Sequence, residues 1–289
     1  MANENSLELP VTQIQEFIAG YKDRFGLIPY ILGRCNICGY HTAFFCSDKA
    51  LYRESLVCAH CLTTSRYRSI ARGILRAIND LAGIDAPNLA SLKDQVWSKT
   101  LRVFDTQVPF YGQTGAYPIP DLLARCERLD INTSIYKPGE PGGKSFGPNT
   151  TNQNLEALTF PDDTFDLVIT SDVMEHVRLD DRAHCEIRRV LKPGGIYLFT
   201  VPHFRHVRET FYRVAVQDPD DTSKDVYLTE KEYHGDANSE EGRALSYRSY
   251  GTEIDEKLQS LGFTVEYTKE EFPDVCILNT ELFYCRLVR

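Results

Sequence analysis

A chain of 289 residues that is 42% hydrophobic and 25% charged is long enough to bury a full core without disulfides, and its composition excludes collagen-like, low-complexity and disordered classes. With 41 Asp and Glu against 32 Lys and Arg, the net charge of −9 argues against a sequence-independent grip on a phosphate backbone, so a nucleic-acid partner is not expected. No apolar run is long enough to span a bilayer, and the polar, acidic residues 1–8 do not read as a signal peptide, so a cytoplasmic, reducing location is expected.

In chain order, residues 11–25 place Val11, Ile14, Phe17, Ile18 and Tyr21 at helical spacing, so residues 1–30 are expected to form an N-terminal helical segment. That segment is a candidate assembly element, which leaves a homo-oligomer open. Residues 31–62 are rich in cysteine and turns. Nine cysteines are an odd number for a disulfide framework, and four of them form two C-x-x-C pairs, Cys35-Cys38 and Cys58-Cys61, with 19 residues between the pairs. Two thiolates three residues apart grip one ion from a tight turn, and a second such turn completes a tetrahedron of sulfur. A structural zinc on Cys35, Cys38, Cys58 and Cys61 is therefore expected. His41, Cys46 and His60 are spare candidates.

Residues 65–82 read as a helix with Ile70, Ile74, Leu75 and Ile78 on one stripe, closing a zinc-ribbon module over 31–82. Arg68, Arg72 and Arg76 recur every four residues on another face, which reads as a solvated face or, alternatively, an anion-binding one. Residues 83–98 read as a connector. Strands are then expected at 101–106, 128–136, 165–172 and 196–202, with helices at 119–127 and 179–191, the latter closed by the Pro-Gly-Gly of LKPGG. This alternation predicts a parallel α/β sheet over 95–289. A polar stretch, 203–250, interrupts the rhythm at a strand end and reads as a lid or substrate loop. A helix at 252–261 and strands at 263–270 and 276–288 complete the sheet. Cys126, Cys185, Cys276 and Cys285 read as buried small hydrophobes.

The most specific stretch runs from 152 to 202: NQNLEALTFPDDTFDLVITSDVMEHV, then RVLKPGGIYLFTVP. It resembles the class I S-adenosylmethionine-dependent methyltransferases of the methyltransferase-11 type. The paired cysteines followed by TTSRYRSIARGIL resemble the zinc-ribbon module of a bacterial subgroup of these enzymes. The resemblance implies a Rossmann-like, seven-stranded sheet with helices on both faces, and S-adenosylmethionine as cofactor. It carries cofactor contacts onto Asp105, Thr106, Gly112, Ser134, Ile135, Asn154, Leu155 and Ser171. Candidate catalytic residues are Asp172, Glu175, His176 and His203, with His206 as a further histidine after the fifth strand, because methyl transfer to oxygen or nitrogen also calls for a proton acceptor.

Three positions depart from the family pattern. The loop after Asp105 reads TQVPFYGQTG, with its first glycine only at Gly112; Ser134-Ile135-Tyr136 stands where Ser-Glu-Tyr is expected; and Asn154 stands in place of Asp. The function expected is methyl transfer to oxygen or nitrogen of a small molecule or sugar. The alternative is a methyltransferase fold with an altered cofactor motif, acting as a binding or scaffold subunit.

Overall fold

The structure, a computed structural model, describes residues 30–46, 52–111, 115–235, 241–269 and 271–288. The helix expected over 11–25 and the cofactor candidate Gly112 lie outside the described residues. The chain divides into two compact units: Met1–Thr100, Pro109–Asp130 and Thr268–Leu282 form the first, and Leu101–Val108, Ile131–Tyr267 and Phe283–Arg289 the second.

The first unit opens with an antiparallel sheet. Strand β1 (Tyr30–Arg34) pairs with β2 (His41–Cys46); a single turn, α1 (Tyr52–Ser55), leads into β3 (Leu56–Cys58), which pairs with the far side of β2. Helix α2 spans Ser65–Ala82, the extent predicted, and stops at Gly83, whose φ of 68° and N–H to the Asn79 carbonyl make a left-handed cap. Ile70, Ile74, Leu75 and Ile78 are buried as expected. Arg68 is not on a solvated face. It is 0% exposed, and its guanidinium donates to the carbonyls of Leu56, Thr63, Val275 and Cys276. Arg72 is exposed and lies over the Phe272 ring. The expected connector contains a 3-10 turn over Leu89–Asp94, capped by the Asn88 side chain accepting from the Ser91 N–H. A small hairpin, β5 (Phe110–Tyr111) with β6 (Ala116–Tyr117), precedes helix α3 (Ile119–Ala124), which has Pro120 in its first turn.

The second unit is built on eight strands. In chain order the first five are β4 (Leu101–Asp105), β7 (Leu129–Ile135), β8 (Ser145–Gly147), β9 (Thr150–Asn152) and β10 (Phe165–Ser171). Helix α4 (Asp180–Val190) follows, then β11 (Leu191–Thr200), the insert, helix α5 (Glu253–Ser260), β18 (Phe263–Thr268) and β19 (Leu282–Leu287). The sheet order is β18-β19-β11-β10-β4-β7-β9-β8. The six strands located in the sequence are present, and β9 and β8, which were not expected, extend the sheet at its edge, β9 parallel to β7 and β8 antiparallel to β9. Every residue of β10 is buried, as a strand with parallel neighbours on both sides requires; Ile169 lies opposite Asp105, and Ser171 opposite Thr200. The chain lays β7 and β9 on one side of β4 and β10 and β11 on the other. The C-terminal ends of β4 and β10 thus meet where the strand order reverses, the place where open α/β sheets bind ligands.

Two boundaries differ from expectation. LKPGG does not cap α4; Leu191 is already extended, and β11 begins there with a register shift against β10 that absorbs the Pro-Gly-Gly as a bulge. A Cβ on Gly195 would sit 2.8 Å from the Lys192 carbonyl, so the bulge needs glycine. The last strand starts at Leu282 rather than 276, because Cys276 and Asn279 have left-handed backbones, φ 52° and 51°. The core of this unit packs Ala183, Ile187 and Val190 of α4 and Ile254 and Leu258 of α5 with Phe104, Phe165, Tyr197, Phe199 and Phe283 of the sheet. Cys285 belongs to it, whereas Cys185 is exposed.

The insert is ordered rather than a bare loop. It makes three two-stranded pairs: β12 (Phe211–Tyr212) with β17 (Arg248–Ser249), β13 (Val214–Ala215) with β14 (Val226–Tyr227), and β15 (Tyr233–Gly235) with β16 (Arg243–Leu245). Arg178, just before α4, grips Asp225 through one guanidinium edge, Nε at 2.7 Å and Nη2 at 2.6 Å, and donates to the carbonyls of Asp218 and Pro219. Buried Arg248 donates to the carbonyls of Met174, Val177 and Arg178. The insert is thereby fastened to the turn after β10.

Candidate functional site

At the end of β4 the Asp105 carboxylate is fully buried and accepts the Gln107 N–H at 3.0 Å. Thr106 bonds the Ile169 carbonyl through both its N–H and its hydroxyl, and the Gln107 side chain donates to the Ser171 carbonyl at 2.9 Å. The turn after β4, which lacks glycine, is thus tied across to β10 by its own polar groups. On the other side, buried Ser134 pairs with Thr151, and Ile135 with Asn152, at the ends of β7 and β9. Asn152, which the sequence did not single out, organises the Gly/Pro loop. Its Oδ1 accepts the Lys137 N–H, and its Nδ2 donates to the carbonyls of Lys137, Glu140 and Pro141. Asn154 is half-buried; its Oδ1 accepts the Glu156 N–H, and its amide keeps donors for a ligand. Leu155 is buried beside it. A carboxylate, hydroxyls and an amide thus stand at the ends of neighbouring strands.

At the end of β10, Ser171 is buried, and half-buried Asp172 has a left-handed backbone, φ 50°. That conformation is fixed from β11: the Asp172 N–H bonds the Thr200 carbonyl, and the Thr200 hydroxyl donates to the Asp172 carboxylate at 2.7 Å. Three residues on, the Glu175 carboxylate is 0% exposed. Its Oε1 lies 3.8 Å from His176 Nε2 and 3.9 Å from His234 Nδ1, and the two imidazoles meet edge to face at 4.9 Å. His234 comes from β15 of the insert and carries no local sequence signal, so its place beside the Glu-His pair was not predicted. His203 is buried against the rings of Tyr267 and Phe283, each 5.1 Å away, and His206 is exposed. The aromatics of the insert split: Tyr250 is buried, with its hydroxyl donating to the Met174 carbonyl, whereas Phe204, Phe211, Tyr212, Tyr227 and Tyr233 are exposed.

The four paired cysteines form a second cluster, in the first unit. Their turns are alike. Cys35 N–H bonds the Tyr40 carbonyl and Gly39 N–H the Cys35 carbonyl; Cys58 N–H bonds the Thr63 carbonyl and Leu62 N–H the Cys58 carbonyl. Gly39 and Leu62 hold the same left-handed position, φ 81° and 57°. The turns bring Cys35 Sγ to 3.7 Å from Cys61 Sγ and Cys38 Sγ to 4.0 Å from Cys58 Sγ, with all four sulfurs within 4.8 Å of one another. Four sulfurs each about 2.3 Å from one ion in a tetrahedron would be roughly 3.8 Å apart, so the cluster fits zinc. Burial pushes the Cys35 thiol up, but hydrogen bonds with Cys38, Cys58 and Cys61 and the charge of Arg68 outweigh it and hold its pKa well below the usual range. His60 stacks on Tyr40, and neither it nor His41 or Cys46 belongs to the sulfur cluster.

The mixed α/β sheet has the Rossmann-like architecture of the class I methyltransferase fold. Residues 119–199 match the family model described as a methyltransferase domain. The chain is 46% identical over 70 residues to the ubiquinone/menaquinone biosynthesis C-methyltransferase UbiE of Hydrogenovibrio crunogenus, covering 23% of this chain and 28% of that one. It is 37% identical over 104 residues to the Escherichia coli protein of the same name, covering 31% and 39%. The chain thus spans well under half the length of these curated relatives. Among solved structures, an S-adenosylmethionine-dependent methyltransferase from Mesorhizobium loti aligns with a TM-score of 0.39 at 16% identity, over 68% of this chain and 95% of that one. The CcbJ methyltransferase from Streptomyces caelestis aligns with a TM-score of 0.40 at 14% identity, over 76% and 90%. Among the described residues, no helix is long and apolar enough to cross a membrane.

Proposed function

We propose that this protein transfers the methyl group of S-adenosylmethionine to an oxygen or nitrogen of a small-molecule or sugar acceptor, and that a structural zinc on Cys35, Cys38, Cys58 and Cys61 holds its ribbon together. The observation that carries the first part is the fully buried Asp105 carboxylate at the end of central strand β4, beside Ser171 and at the reversal of strand order. S-adenosylmethionine, when bound, supplies a sulfonium-activated methyl group for in-line displacement. Asp105 and Thr106 would hold its amino-acid end, Ser134 and Ile135 its ribose, and Asn154 and Leu155 its adenine, with Ser171 lining the floor. The domain division proposed is a ribbon and helix over 31–82 and a cofactor domain over 95–289 with its insert at 203–250.

On the acceptor side, orientation is the main contribution and proton removal the second. Asp172 is the candidate general base, because it is half-buried at the end of β10 and its carboxylate is aimed by the Thr200 hydroxyl. His203 supplies a wall and a second proton acceptor at the end of β11. Glu175 and His176 act as a unit with His234. The UbiE relatives are C-methyltransferases by name, which favours a second reading, transfer to carbon. The family match, residues 119–199, includes the turn after β10 and stops before the insert, so the acceptor atom rests on the insert.

The test is ligand-induced stabilisation followed by turnover. S-adenosylmethionine or S-adenosylhomocysteine at 100 times its dissociation constant raises stability by about 2.7 kcal/mol, a shift of several degrees in Tm. Asp105→Asn keeps an acceptor for Gln107 and loses the charge, so the shift should vanish while the melting of the free protein stays close to wild type. Label transferred from methyl-labelled cofactor to an acceptor panel then identifies the atom. Cofactor binding without transfer to any acceptor would support the scaffold role instead, and no binding at millimolar ligand would end the proposal.

A further inference from the structure

We propose that Glu175, His176 and His234 form a binding site for one divalent transition-metal ion, separate from the four cysteines. The three side chains offer donor atoms that all lie within 4.8 Å of one another. The separations of 3.8 and 3.9 Å from Glu175 Oε1 to His176 Nε2 and His234 Nδ1 are too long for hydrogen bonds. They suit ligands that share an ion, since donors each about 2.0–2.2 Å from one metal stand roughly 3–4 Å apart.

The outer nitrogens of both rings support the assignment. His176 Nδ1 is 2.8 Å from the Leu245 carbonyl. A carbonyl only accepts, so Nδ1 carries the hydrogen and Nε2, facing Glu175, keeps its lone pair. His234 Nε2 is 3.0 Å from Glu232 Oε1, which fixes the opposite tautomer and leaves the lone pair on Nδ1, again facing Glu175. A metal-bound histidine is oriented in this way, its far N–H given to a backbone carbonyl or a carboxylate. Two lone pairs and a fully buried carboxylate thus converge on one point. Were both rings imidazolium instead, two cations would face each other edge to face at 4.9 Å.

The donors also come from two elements. Glu175 and His176 sit in the turn after β10, whereas His234 and the Leu245 carbonyl come from the paired strands β15 and β16 of the insert, in which Tyr233 lies opposite Leu245. One bound ion would clamp the insert onto the sheet. Two imidazoles and one carboxylate suit Zn²⁺, Mn²⁺, Fe²⁺ or Co²⁺ rather than Ca²⁺ or Mg²⁺. Three protein ligands also leave open positions for water or an oxygen-bearing ligand, unlike four thiolates.

The experiment is calorimetric titration of the full-length protein with Zn²⁺ and with Co²⁺, after a mild chelator has cleared the nitrogen–oxygen site and metal analysis has established what the thiolates retain. Wild type is expected to take up one ion beyond the thiolate metal and to gain thermal stability from it. His234→Ala, in the partly exposed insert, should lose that binding at least 100-fold while keeping the wild-type circular dichroism spectrum. Glu232→Ala, which removes the partner of the outer nitrogen of His234 and an ion pair with Arg213, should weaken binding by about 10–100-fold. Because Glu232 is not itself a proposed ligand, this variant keeps the test decisive if His234→Ala does not fold. Absence of a second ion in wild type at millimolar metal, or equal affinity in wild type and the folded variants, would overturn the proposal.

Discussion

Arg68 and His184 show how a residue's role depends on what the fold brings to it. An arginine repeated every four residues on a helix reads as solvated, and for Arg72 and Arg76, both exposed, that reading fits. Arg68 differs because the carbonyls of Val275 and Cys276, some 200 positions along the chain, return to meet it, and no local pattern announces that. Arg68→Met should cost about 3–5 kcal/mol in urea unfolding, since it leaves buried carbonyls without a charged donor; a cost within error of Arg76→Ala would refute this role. His184 lies in α4 with no hydrogen-bond partner for either ring nitrogen among the described residues, and burial pushes its pKa down to about 4. The unfolded chain binds a proton near pH 6.5 that the folded chain refuses until about pH 4. Its contribution to stability is therefore fully present above about pH 6.5 and falls as the pH drops through that window, by roughly 3 kcal/mol in all. His184→Phe should flatten the pH dependence of Tm between pH 4.5 and 6.5 and be the more stable protein at its acid end. A parallel loss in both proteins would show that other groups govern acid sensitivity.

Among elements, the strands and helices of the sheet were legible because hydrophobic period and length decide them; β10 reads as an unbroken apolar run, and every one of its residues is buried. The insert was legible only as an interruption. Its pairs are two or three residues long, too short for periodicity, and they are fixed by arginines reaching across from other elements. The bidentate Arg178–Asp225 pair, with both side chains under a tenth exposed, is the main tether of 218–225. Arg178→Ala leaves Asp225 without its partner in a poorly solvated site and frees three carbonyl contacts. Amide exchange over 218–227 should accelerate by two orders of magnitude or more, while β10 and β11 keep their protection. Unchanged exchange in that segment would mean that the β13–β14 pairing alone holds it. The same distinction accounts for the candidate site. The Glu-His pair could be read from a contiguous motif, whereas His234 belongs beside it only through the folding of the insert.

At the scale of the molecule, the two units hold themselves together by different means. The second has a continuous core of aromatic and aliphatic side chains between its sheet and α4 and α5, enough to stabilise a domain by burial. In the ribbon part of the first unit, the strands are three to six residues long, and their buried apolar side chains include Phe44, Leu56 and Val57, with Ile37 in the turn between β1 and β2. A sheet that small has little apolar area to offset its ordering entropy, and in the proposed zinc site the binding energy of the ion would become folding energy. The paired cysteines made this much readable from spacing alone, because a tetrathiolate site imposes its geometry through local turns, here two of matching hydrogen-bond pattern. Removing the metal with a strong chelator, or substituting Cys58→Ser, should expose the amides of Tyr30–Arg34 and His41–Cys46 to rapid exchange. The long strands β10 and β11 should stay protected, and restored zinc should reverse the chelator's effect. Ribbon amides that stay as protected without metal as with it would show that packing and Arg68, not zinc, carry this part of the fold.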